Sequence, residues 1–323
     1  MANPNYSDIM ATTIESRSRA VADNVTDNNA VLKKLSMKGR IKTFTGGNEI
    51  LQELSFAENS NAGWYSGYDL LPVGVSDVIT AAEYQIKQAA VPVVISGLEQ
   101  LQNSGKERMI DLMDARLEVA ESTMSNLIAQ GIYSDGSAAG GKQIDGLNAA
   151  VPVDPSDDTY GGIPSATFTF WRNATLDLGA ANLIASEIQG HFNNLWSQLV
   201  RGNDRPDLIM VDNTVWSVYV ESLQAQQRFT SPETGQLGFP TIKYMDADVC
   251  LDGGIGGECP AGTAFFLNTD FLHYRPHRDR NMVSLSPNRR YATNQDAEVQ
   301  ILGWAGNLTT SGRKFQGRLD FNA

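Results

Sequence analysis

The chain has 323 residues, 41% of them hydrophobic, with 25 Lys plus Arg set against 37 Asp plus Glu and a formal net charge of -12. That charge opposes the phosphate backbone, so a protein that grips nucleic acid over its whole surface or reads its sequence is excluded. The length exceeds the ~250–300 residues at which one core stops growing, so two lobes or a domain with extensions are expected.

Residues 1–46 carry Ile9, Ile14, Val21, Val25 and Leu32 among many Asn, Asp, Ser and Thr, the pattern of an arm with some helix that ends at Gly46 and Gly47. The start has no basic segment followed by an apolar one, no run in the chain approaches the ~18 apolar residues of a membrane span, and no membrane partner is expected. From Ile50 the period changes to two. Ile50, Leu54 and Phe56 alternate with Leu51, Glu53 and Ser55, and after the turn-like ENSNAG (58–63) Trp64, Ser66, Tyr68 and Leu70 alternate again, which predicts a hairpin over 50–70. A further extended run, 84–95, contains Pro92 and is expected at an edge or bulge.

In 104–131 the residues Met109, Ile110, Met113, Leu117, Ala120, Met124, Leu127 and Ile128 recur three or four apart, the apolar stripe of a single helix roughly 40 Å long. Ser104 stands three before Glu107 as a capping box, and Gly131 suits a left-handed C-terminal cap. A Gly/Ser-rich turn (134–142) and a loop-rich stretch to Pro164 follow, and 167–171 alternates as a short strand. Segment 183–200 reads as an amphipathic helix with Ile184, Ile188, Phe192, Leu195, Trp196 and Leu199 inward. Segment 208–211 reads as a buried strand, after which Asp212 or Asn213 caps a helix carrying Val215, Trp216, Tyr219, Val220 and Leu223. The remainder is predicted as strands at 241–251, 263–272, 298–304 and 314–321.

The residues that carry chemistry are sparse. Gly136, Gly141 and Lys142 copy the spacing of a phosphate-binding loop, but Gln143 replaces the Ser or Thr needed on magnesium and a helix precedes, so a turn is expected. Cys250, Cys259, His273 and His277 stand in the order of a zinc set, yet the cysteines are too far apart for a chelating knuckle, and free thiols without metal are expected. His191, four after Glu187, is expected to be a polar-face residue. No nucleophile elbow or paired His motif is present, so no catalytic residue and no cofactor is assigned. Charge is uneven. Arg275, Arg278, Arg280, Arg289 and Arg290 crowd one segment and Asp145, Asp154, Asp157 and Asp158 another, and opposite patches on identical chains can pair. Trp64, Tyr65 and Tyr68 lie in a glycine-flanked hairpin far from any core helix, as association anchors do.

The order of parts, and the wording of GGNEILQELSFAENSNAGWYSGYDLL, of SGLEQLQNSGKERMIDLMDAR through IAQGIYSDG, of FLNTDFLHYRPHRDRNM and of LGWAGNLTTSGRKFQGRL, resembles the major capsid proteins of tailed bacteriophages, the Hong Kong 97 type of fold. The resemblance covers nearly the whole chain. It implies an α+β fold with an N-terminal arm (1–46), an extended β-hairpin loop and following strand (47–95), a peripheral lobe (96–180) holding the spine helix, an axial lobe (181–285), and return strands (286–323) that join mainly the peripheral lobe. It also implies a homo-oligomer of hexamers and pentamers in an icosahedral virion shell, assembled in the host cytoplasm with a separate scaffold protein, a portal and decoration proteins, around double-stranded DNA that is held without sequence-specific contact. Trp64, Tyr65, Tyr68, Arg275, Arg278 and Arg280 become the candidate subunit interface. The family's lysine–asparagine crosslink is not carried over, because 47–75 contains no lysine. Two other readings stay open: an encapsulin-like shell loaded with protein, and a hydrolase with an acidic site in the α/β lobe.

Overall fold

The computed structural model describes residues 29–71, 73–102, 106–179, 183–224, 241–253, 257–285 and 297–321, without the side chains of 100–114, 224 and 297–298. The arm over 1–28, the capping box at Ser104 and the arginines 289 and 290 lie outside the described residues.

Two sheets and a long helix set the frame. Helix α1 (Ala30–Met37) begins at Asn29, whose Oδ1 accepts from the amides of Val31 (3.0 Å) and Leu32 (3.1 Å), and it buries Ala30, Val31, Leu32 and Leu35. Strands β1 (Glu49–Ser55) and β2 (Ile79–Gln85) form an antiparallel ribbon, and β3 (Lys87–Ser96) follows at once. Helix α2 (Lys106–Tyr133) is the spine, roughly 42 Å long at ~1.5 Å per residue. Its stripe is confirmed from Leu117 onward: Leu117, Ala120, Met124 and Ile128 are buried, whereas Leu127 is 40% exposed.

Gly131 does not end the spine. The helix runs on through Ile132 and Tyr133, and a Cβ at 131 would lie 2.8 Å from Ile144 Cδ1. Close approach of the 144–146 turn, and not a left-handed cap, is what requires glycine there. Gly146 completes the contact, since its Cβ would lie 2.4 Å from the Gly131 carbonyl.

The six-stranded sheet runs in the order β4 (Ala174–Asp177), β11 (Gly317–Asp320), β8 (Thr263–Leu267), β5 (Leu208–Val211), β7 (Ala247–Leu251), β6 (Thr241–Tyr244). Its central strands are buried at every position, and apolar at all but Thr263, because both faces are covered. Ile209, Val211, Ala264 and Phe266 meet α3 (Ile188–Leu199) and α4 (Asn213–Gln224); Leu208, Met210, Phe265 and Leu267 meet the core shared with α1 and the spine. In the second sheet the long strand β10 (Ala297–Thr310) pairs β3 on one side and β9 (Leu272–Pro276) with residues 283–284 on the other. Pro92 sits on β3, which has no further partner among the described strands, so its missing N–H falls on an edge strand as expected.

Several expectations shift. Residues 167–171 hold a 3-10 turn over Thr169–Trp171 and no strand, because Trp171 folds inward and donates to the Tyr160 carbonyl at 2.9 Å. Helix α3 starts at Ile188, leaving Ile184 49% exposed. Segments 241–251 and 263–272 each divide, the first at a tight turn where Met245 has φ 50°. Sheet membership also cuts across chain order: β4 and β11, outside 181–285, lie in the same sheet as the strands from within it.

Candidate functional site

The ribbon is locked at its root and bare at its tip. Ile50, Leu54, Ala82 and Tyr84 fill one face and are buried in the chain's own core, while Leu51, Glu53 and Ile79 stay exposed. Tyr84 Oη donates to the Thr310 carbonyl at 3.1 Å, and an Arg275 guanidinium nitrogen donates to the Leu51 carbonyl at 3.1 Å. The partner of β1 is β2, in register from Glu49↔Gln85 to Ser55↔Ile79. The predicted second strand at 64–70 is therefore corrected: Trp64 to Leu70 lie in an irregular loop (56–78) between the ribbon strands, where alternation has no ladder to act on. Trp64, Tyr68, Leu70, Val73 and Val75 are fully exposed, and Tyr65 and Leu71 largely so.

The charged clusters divide into internal and external parts. Arg275 is half-buried and serves the ribbon root. Arg278 and Arg280 are exposed, Arg280 Nη1 standing 3.4 Å from Gln88 Oε1. The acidic set loses two members to the chain itself. Asp145 pairs with Lys87 (3.4 Å) and accepts from Asn307 (2.7 Å), and Asp158 pairs with Arg313, whose side chain is fully buried. Asp154 accepts from its neighbour Ser156, which holds its carboxyl below the usual range.

A group of buried titratable side chains joins the spine to the six-stranded sheet; it sets Cys250 and Cys259 with Tyr133 and Asp252, two residues that the sequence did not single out. Tyr133, at the end of α2, hydrogen-bonds Asp252 beside Cys250 and Cys259. Burial raises the Asp252 carboxyl, pushes the Cys250 thiol up to about 12 and holds the Cys259 thiol well above its usual value. Such thiols are poor nucleophiles and poor metal ligands. His273 belongs to the other sheet, and among the described residues no group of three or more His, Cys, Asp or Glu is placed to hold a metal. The glycine-rich 136–141 segment is a turn with Ala139, Gly140 and Gly141 left-handed, its Gly141 carbonyl accepting from Lys87 at 2.7 Å. His191 faces Glu187 at 4.0 Å and packs its edge on Phe321.

Among the clefts lined by described residues are three that do not include Asp252, the carboxyl that burial raises. One cleft, of about 400 Å³, runs between β3 and the spine past Val91, Val93, Arg116 and Val119. What the surface offers is an apolar, aromatic projection and an apolar groove, the equipment of a protein that binds other protein surfaces.

A locked ribbon with a projecting loop, a long spine helix and two sheets define the Hong Kong 97 type of shell-protein fold. Solved structures of capsids share this arrangement. The chain matches a chain of the cyanophage A-1(L) capsid asymmetric unit at TM-score 0.60 and 14% identity, over 89% of this chain and 92% of that one. It matches the capsid of a native GTA particle at TM-score 0.58 and 12% identity, over 89% and 90%. The SrpI encapsulin of Synechococcus elongatus follows at TM-score 0.50 and 8% identity, over 88% and 85%. No family model matches the sequence, and no curated protein does.

Proposed function

We propose that the chain is the major structural subunit of an icosahedral, tailed-phage type shell, that copies of it assemble into hexamers and pentamers, and that the shell encloses double-stranded DNA without sequence-specific contact. The loop tip carries this reading: Trp64, Tyr68, Leu70, Val73 and Val75 project, fully exposed, from a ribbon whose root is buried. An apolar patch of this kind calls for a protein partner, and a head-to-tail contact between identical copies gives rings when its rotation closes. Trp64, Tyr65 and Tyr68 are the proposed contact with the neighbouring subunit, with Arg278 and Arg280 a second, charged one; Arg275 belongs to the ribbon root instead. The role is structural and not enzymatic. Its setting is the virion, reached by assembly in the host cytoplasm with a separate scaffold, a portal and decoration proteins. The lobe built around β5 to β8 is proposed to face the capsomer centre, and the lobe holding the spine the periphery.

Electron microscopy of the purified protein with scaffold supplied is expected to show rings or closed shells, and a sharp monomer peak in sedimentation across concentration and salt would overturn the reading. Replacing Trp64 and Tyr68 together with Ala is expected to leave thermal unfolding of dissociated subunits unchanged and to abolish shells. Because an encapsulin shares the fold, the contents of the particles decide between DNA packaging and protein storage.

A further inference from the structure

We infer that Asn61 is a positioning residue for assembly, its side-chain amide holding the loop tip in the shape that docks on the neighbouring subunit. The inference rests on the tip being that contact. The ribbon ladder ends at Ser55↔Ile79, with the Phe56 amide donating to the Val78 carbonyl at 3.1 Å. Beyond that point the described backbone bonds in the loop are local, within 59–62 and 66–69. Side chains take over the joining of its two sides. Asn61 Nδ2 donates to the Gly74 carbonyl at 2.6 Å, and the Gly74 amide donates to Asn61 Oδ1 at 3.3 Å. One planar amide thus makes the two-bond exchange that a paired strand residue would make. The Ser60 amide donates to Ser76 Oγ at 3.3 Å beside it, and the Asn61 amide donates to Asn59 Oδ1 at 2.9 Å, which sets the angle of the clamp. A Cβ at position 74 would lie 3.3 Å from Asn61 Oδ1, so glycine lets the amide close fully.

The arch beyond the clamp, 62–73, carries Trp64, Tyr65, Tyr68, Leu70 and Leu71. Closing its base shortens the span that must be ordered when the tip docks, and the ordering is done before assembly and not during it. The clamp is exposed, so it adds little to the stability of the fold; its effect appears in association. Asparagine suits the task because it offers donor and acceptor together. Aspartate at 61 would set a carboxylate against the Gly74 carbonyl and lose the shorter bond.

The test compares Asn61→Asp and the pair Asn61→Cys with Gly74→Cys against the wild-type chain. Subunit melting is expected to stay unchanged in both. If the docking shape falls to about a tenth of the population, the concentration for half-assembly rises about tenfold in Asn61→Asp. The cysteine pair is expected to behave like Asn61→Asp when reduced and like wild type when oxidised, since the disulfide restores the closed base. Wild-type assembly by Asn61→Asp and by the reduced pair, while the Trp64 and Tyr68 double variant fails to assemble, would overturn the positioning role and leave the contact standing. Assembly by that double variant would overturn the contact itself. A lowered melting temperature in Asn61→Asp would assign the residue to the fold, and failure of the oxidised pair would assign it a direct contact; either result overturns the inference.

Discussion

His273 is buried on β9 with Nδ1 lacking any hydrogen-bond partner. Burial, and then the cations Lys42, Arg40 and Arg275, push its pKa down to about 4. The unfolded imidazole titrates near ~6.5, so between those values the unfolded chain binds a proton that the folded one refuses. Stability is therefore whole above pH ~6.5 and falls as pH drops toward about 4, by on the order of 2 kcal/mol at the lower end. His273→Leu is expected to flatten that dependence, as read from urea midpoints at pH 7 and 4.5. Arg313 is the opposite case, a charge kept buried by its partners. Its Nε donates to the Ala150 carbonyl at 2.6 Å and Nη1 to Asp158 Oδ1 at 3.0 Å, with the guanidinium 5.3 Å from the Tyr160 ring centroid. Arg313→Ala takes the cation from Asp158, which keeps only the Ser165 hydroxyl as a side-chain donor, and removes the Arg313 donors to the Ala149 and Ala150 carbonyls; it is expected to cost about 3–5 kcal/mol in chemical denaturation.

The spine and the turn that leans on it make a paired prediction at the scale of elements. Gly146→Ala drives a methyl into backbone, 2.4 Å from the Gly131 carbonyl and 2.5 Å from that of Ile132, and is expected to lose roughly 1–3 kcal/mol. Gly131→Ala meets the Ile144 side chain instead, 2.8 Å from Cδ1 and 3.3 Å from Cβ and Cγ1, and a gain of ~1 kcal/mol in helix propensity offsets part of the cost, so its urea midpoint is expected to fall less than that of Gly146→Ala. Elements whose burial follows their own period were legible in the sequence: the spine from Leu117 to Ile128, α3 from Ile188 to Leu199, and β5. Those fixed by partners distant in the chain were not. The alternation of Trp64, Ser66, Tyr68 and Leu70 is as regular as that of Ile50 and Leu54, yet only the latter has a strand, β2, to pair with. Gly131 has the same identity whether it caps a helix or admits a neighbour, and only Ile144 tells the two apart. For the candidate site, the exposure of the aromatics at 64–68 was legible because large apolar groups among glycines have no local cover. The different fates of Arg275 and Arg278 were not, because the Leu51 carbonyl that engages the first is brought there by tertiary folding.

For the whole molecule, exposed charges contribute little to folding and much to the choice of partner, so Arg278→Glu with Arg280→Glu is expected to leave the subunit melt unchanged while lowering the yield of shells. Normal shells from that double variant would show these arginines to be ordinary surface. The pairing of the sheets carries a consequence in time. β3 finds its partner in β10, Lys87 against Gly306, and β11 enters the six-stranded sheet between β4 and β8. During synthesis, a growing chain can make the spine helix early, but it can close neither sheet until nearly all of it has left the ribosome. The loop tip emerges long before the six-stranded sheet is complete. Under the proposed function, a nascent chain would have the hook without the eye, and copies translated side by side on one message would not interlock until each had been released and folded.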